Sequence, residues 1–104
     1  MITTISSQRY INYDIVNEKI ENKDFVVIVS PVFEVDGESY RVILDGHHSL
    51  AAAMACEIDP VYVEANATEH DAILLLECGR IDDFLRAVHM GDDYYDIDTN
   101  VTVW

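Results

Sequence analysis

The sequence predicts one small α/β domain over residues 1–104, an α+β arrangement of a small mixed sheet with flanking helices, and three observations carry that expectation. Half of the 104 residues are apolar and they are spread along the whole chain, enough to bury a core of ordinary domain size. Asp36-Gly37, a dipeptide suited to tight hairpins, lies between two stretches of alternating or β-branched residues. Asp45-Gly46 then separates such a stretch from a run of strong helix formers, so strand, turn and helix follow one another.

Taken in order, Tyr13, Val16 and Ile20 recur at helical spacing with Asp14 and Glu18 among them, and Asn22-Lys23-Asp24 ends that short amphipathic helix. Phe25 to Val29 reads as a strand that continues, bent or interrupted at Pro31, into Val32, Phe33 and Val35. Tyr40 to Leu44 pairs antiparallel with the strand around Val32 to Val35. A helix starts near His47 or His48, carries Leu50 to Ala55 and ends near Ile58, where Asp59-Pro60 closes it. Val61-Tyr62-Val63 is a further strand. Thr68 and Asp71 resemble a capping box for a helix carrying Ile73 to Leu76, ended by Gly79. Ile81, Phe84, Leu85 and Val88 mark the next helix, stopped by Gly91, and Ile97 to Trp104 is a candidate final strand. Leu50, Met54, Ile43, Val27, Val61, Leu75 and Phe84 are expected in the core.

Twenty Asp and Glu against six Lys and Arg give a formal net charge of −14, a field that repels phosphate backbones and favours basic partners. Direct duplex DNA binding is therefore not expected. No apolar run approaches the roughly 18 to 20 residues of a membrane span, so no membrane partner is expected. Cys56 and Cys78 fall in helical segments without Cys-x-x-Cys spacing or a secretory leader, which predicts reduced, buried thiols and a cytoplasmic protein, bacterial or phage. The domain should fold unaided or with copies of itself, which leaves a homodimer open.

Tyr40-Arg41-Val42-Ile43-Leu44-Asp45-Gly46-His47-His48-Ser49-Leu50-Ala51-Ala52-Ala53 resembles the strand and D-G-H-H-R-L-A-A-A signature of the ParB/sulfiredoxin-like superfamily, in the ParB N-terminal-like form. Ser49 stands where the family carries Arg. The resemblance covers about residues 12 to 66, including the helix before Phe25, and does not extend to the acidic end. It implies that the turn holds the phosphates of a nucleotide such as CTP or ATP, with magnesium, or of another phosphorylated small molecule. The candidate ligand-binding residues are Asp45, Gly46, His47, His48, Ser49 and Arg41. Catalytic residues are not assigned.

The chemistry of that turn follows from its residues. Gly46 lets the backbone tighten, and the helix behind it offers free N–H groups and a positive dipole end. Ser49 offers only a hydroxyl in place of a guanidinium, and Arg41, on the preceding strand, is the nearest cation that could compensate. Asp45, His47 and His48 do not make a metal site, because adjacent histidines diverge and no third ligand accompanies them. Asp96, Asp98 and Asn100 begin like a calcium loop but lack its glycine and its bidentate Glu. His70 and His89 have no partner at ligand spacing. In sulfiredoxin-type relatives the catalytic Cys occupies the position of His47, and Cys56 lies two turns further along, so that chemistry does not transfer.

Two functions remain. In the first, the chain is a stand-alone ParB-like domain that binds a nucleotide or phosphorylated ligand at the Gly46 turn, with the site intact or degenerate and a hydrolase or transferase activity left open. In the second, it is an acidic interaction protein of phage or plasmid type, an inhibitor or nucleic-acid mimic that occupies a basic groove of a nucleic-acid-handling enzyme. Fold alone does not choose between them.

Overall fold

The computed structural model describes residues 1–104 as a mixed α+β fold. Its elements are β1 (Ile2–Ser6), α1 (Tyr13–Glu21), β2 (Val26–Val29), β3 (Phe33–Val35), β4 (Glu38–Asp45), α2 (His47–Ala55), β5 (Val61–Glu64), α3 (Ile73–Glu77), α4 (Ile81–Ala87) and β6 (Tyr95–Asp96). The sheet runs β5-β2-β4-β1-β6, with β3 paired to the first half of β4. β1 is parallel to β4 and β5 to β2, while β2 and β3 are antiparallel to β4 and β6 to β1.

β4 is the central strand because its alternation suits two buried faces. Tyr40 and Val42 point to one side, where Ile5, Phe33, Ile73 and Phe84 complete the larger core. Ile43 points to the other side and meets Val27, Val29 and Leu50. α2 therefore covers one face, with α1 packed on it, and α3 and α4 cover the other. Phe84 is fully buried and stands edge-on to Phe33, with ring centroids 5.9 Å apart.

The expected hairpin forms, with Phe33 opposite Tyr40 and Val35 opposite Glu38. The strand before it divides at Ser30-Pro31. Ser30 N–H donates to the Val42 carbonyl at 2.8 Å, and its hydroxyl accepts the Val42 N–H at 3.0 Å, so a side chain replaces one rung of the ladder. Pro31 has no N–H to continue it.

Several expectations require correction. Met54 and Val61 are both 55% exposed, not core. α2 buries its Leu50, Ala52 and Ala53 side and turns Met54 away, and β5 is an edge strand reaching beyond the cover of α3 and α4. Tyr13 is also exposed, so α1 anchors through Val16. Neither thiol is buried: Cys56 and Cys78 each follow the last residue of a short helix, half-buried and exposed respectively. The Thr68–Asp71 capping box does not form; Asn66 Oδ1 accepts the N–H groups of Thr68 and Glu69 instead, and α3 starts later without a side-chain cap. α2 ends at Ala55, three residues before Ile58. In the tail the strand is Tyr95–Asp96, and only Thr102 of the expected segment pairs with it. No helix is long and apolar enough to cross a membrane.

Candidate functional site

The Gly46 turn lies where β4, β2 and α2 meet. Asp45 ends β4 with its Oδ1 accepting the Gly46 N–H at 2.7 Å. Gly46 is left-handed at φ +96°, and α2 begins at the next residue with no side chain capping its first turn. A Cβ on Gly46 would lie 2.6 Å from the Val26 carbonyl oxygen and 2.9 Å from Val27 Cα. The glycine is thus required by the close approach of β2 as well as by its own φ.

The two histidines diverge, and each is committed to a structural bond. His47 is 7% exposed, with Nε2 2.6 Å from the hydroxyl of fully buried Ser6 on β1. Burial lowers its pKa; Asp45 opposes that shift and His48 adds to it. His48 Nε2 accepts the Asn12 backbone N–H at 3.1 Å, which leaves the ring hydrogen on Nδ1 and fastens the start of α1 to α2. Asn12 in turn caps α1, its side chain accepting the Asp14 N–H at 3.0 Å.

Ser49 is 2% exposed and directs its hydroxyl toward Asp24 Oδ1 at 3.4 Å. Asp24 also binds Lys19, whose Nζ lies 2.9 Å from Oδ2. The Lys19 hydrogen bond, followed by the Val26 N–H, lowers the Asp24 pKa, and the same contact raises that of Lys19, with Asp45 contributing. Lys19, Asp45, Gly46 and Ser49 line two adjoining open depressions of about 290 and 220 Å³; His47 and His48 line the first, and Asp24 the second.

Arg41 is absent from that group. Its Nε donates to Thr4 Oγ1 at 2.8 Å and its guanidinium stacks 4.1 Å above the Tyr62 ring. Four residues of extended strand, about 13 Å, separate it from Asp45. The cation at the turn is Lys19, which sequence reasoning missed. It occupies the last turn of α1, outside the signature, and its only available signal was scarcity, as one of six basic residues in the chain.

The turn can therefore offer backbone N–H groups and the Lys19 ammonium to an anion, with the Ser49 hydroxyl beside them directed to Asp24. Two carboxylates, Asp24 and Asp45, stand beside them. No three His, Cys, Asp or Glu side chains converge as a metal site. The largest cavity, about 430 Å³, lies elsewhere, between Val35, α4, Tyr94 and Trp104, and is mostly apolar. Volume favours that cavity, whereas the convergence of an uncapped helix start, a cation and a hydroxyl favours the turn. Comparison with protein-family models, with curated proteins and with solved structures finds no match to this chain.

Proposed function

We propose that this is a stand-alone ParB-like binding domain whose Gly46 turn takes a nucleotide or another phosphorylated small ligand as its magnesium complex. The observation that carries the reading is the uncapped start of α2 at a left-handed glycine, with Lys19 and Ser49 lining the same depression. Backbone N–H groups and a helix dipole favour phosphate oxygens. A bare phosphate would meet Asp24 and Asp45 and be repelled, but Mg²⁺ characteristically takes one or two protein carboxylates and completes its shell from phosphate and water. The carboxylates then contribute to binding instead of opposing it.

Thermal unfolding with CTP, ATP and ADP, with and without magnesium, tests this. Ligand at several times its Kd should stabilise the chain by about 1 kcal/mol and raise Tm by about 4–8 °C. The shift should require magnesium and vanish in Lys19→Met, which removes one half-exposed ion pair and should leave the fold intact. Ser49→Arg, which sets a guanidinium beside Asp24 and releases the Lys19 ammonium, should enlarge it. Absence of any shift across these nucleotides would contradict the reading.

The charge of −14 favours a second reading, an acidic interaction protein that meets a basic partner. Asp24 holding both Lys19 and Ser49 fits a turn whose anion is supplied by the protein itself. Under either reading, duplex DNA is not retained at physiological salt, as a mobility assay would register.

A further inference from the structure

The sheet ends differently at its two edges. At the β6 edge the tail folds over the strand: Tyr95 bridges Thr102, and Asp96 N–H donates to the Val101 carbonyl at 2.9 Å. At the β5 edge nothing follows, since β5 pairs only with β2. Val61 N–H donates to the Phe25 carbonyl at 2.9 Å and Ala65 N–H to the Val29 carbonyl at 2.8 Å. With the parallel register of Val61 on Val26 and Val63 on Ile28, the backbone groups of Val61, Val63 and Ala65 all turn inward. Tyr62 and Glu64 then turn their N–H and C=O groups outward, where no strand or side chain of the protein takes them.

The valine side chains at this edge are open, while Tyr62 is half-buried. Val61, Val63 and neighbouring Val26 are 55%, 44% and 41% exposed, and the register places them on one face. Tyr62 and Glu64 point to the other face. Edges of natural sheets are commonly blunted by Lys, bulges or internal Pro, and β5 contains none of these; Pro60 only precedes it. Exposed Glu57, Asp59 and Glu64 make its surroundings acidic.

We propose that β5 receives an extended segment of a basic partner protein as an added strand. Its outward N–H and C=O groups supply the pairing, and side-chain alternation supplies the selectivity. Residues of the added strand beside Val61 and Val63 are apolar, and the one beside Glu64 is Lys or Arg, whereas the Tyr62 ring is already covered by the Arg41 guanidinium. A second copy of this chain is the poorer occupant, because edge-to-edge pairing would bring Glu57, Asp59 and Glu64 of both copies together at a net charge of −14 each. The proposal deepens the second reading above by naming its surface, and it does not depend on the Gly46 turn.

The test uses the full chain, ¹⁵N-labelled, with a short end-blocked peptide of alternating lysine and valine. Hydrogen exchange at the Tyr62 and Glu64 amides should be fast in the free protein and slow by at least about tenfold with peptide. The Gly46 to Ser49 amides should not change. The same peptide with all its amides N-methylated should bind at least about tenfold more weakly, as should the unmodified peptide to Glu64→Pro, which loses one outward N–H but no bond to β2. A glutamate–valine peptide should not bind. Equal binding of the N-methylated peptide would overturn the proposal. Protection mapped to another acidic surface would overturn it while leaving the second reading in place, and failure of every basic peptide to bind would overturn both. Protection that rises with protein concentration alone would assign the edge to a second copy and overturn the basic partner.

Discussion

β4 is bracketed by the same dipeptide, Asp36-Gly37 before it and Asp45-Gly46 after it, and the two copies do different work. At the first, Asp36 and Gly37 are both left-handed, at φ +53° and +82°, the backbone of a tight hairpin, and a Cβ on Gly37 would meet nothing within 4 Å. At the second, Gly46 alone is left-handed, and its missing Cβ is the space into which the β2 backbone fits. One turn reverses the chain in solvent. The other joins β4 to a helix while pressed against a neighbouring strand, and that crowding gathers Lys19, Asp24 and Ser49 around it. A glycine demanded by a motif can thus be demanded first by the protein's own packing.

Substitution at the two glycines separates these roles most strongly. Gly46→Val combines a strained φ with overpacking against Val26 and Val27 and should cost about 2–6 kcal/mol in urea unfolding. Gly37→Ala faces only the strained φ and should cost about 1–2 kcal/mol. Equal costs would mean that the β2 contact is unimportant. Gly46→Val is accordingly a poor probe of ligand binding, and Lys19→Met is the better one.

A smaller effect distinguishes the two ends of β4 by pH. His47 follows Gly46 and no histidine flanks Gly37. Burial, opposed by Asp45 and reinforced by His48, depresses the His47 pKa in the folded state, so the unfolded chain binds the proton more readily. Its contribution to stability is complete above the unfolded value of about 6.5 and is lost as pH falls below that toward the folded value. The urea midpoint should therefore decline between neutral and mildly acidic pH, and His47→Gln should flatten that decline. Asp24, whose pKa is lowered by Lys19, titrates in a separate window, with stability lost as pH falls through the carboxylate range. An unchanged slope in His47→Gln would remove His47 as the source.

Much of the architecture was legible where local chemistry and tertiary environment agree. Asp36-Gly37, the Gly46 turn, the helix formers after it and the buried Ile43, Val27, Leu50 and Phe84 all follow from propensity and alternation. β1 is not announced by the sequence, although Ile2 to Ile5 are all β-branched, because its place beside β4 depends on a parallel pairing that no local turn signals. The exposure of Met54 and Val61 was invisible for a related reason: an apolar residue shows its type in the sequence but not whether its face is covered. At the turn, Asp45 to Ser49 are contiguous in the sequence, so their grouping is local. Lys19 and Asp24 reach the turn only through the packing of α1 on α2, and Arg41 is drawn away by Thr4 and Tyr62, contacts made across strands.

Under the proposed function, the second Asp-Gly turn holds a phosphorylated ligand and the first does not. Amide resonances of the ¹⁵N-labelled chain, titrated with magnesium-ATP and magnesium-CTP, test it directly, with Gly37 as an internal control. Saturable shifts at Gly46, His47, His48 and Ser49 with Gly37 unmoved, lost in Lys19→Met, are the predicted result. An unperturbed Gly46 turn at millimolar nucleotide, or equal movement at Gly37, would contradict the account.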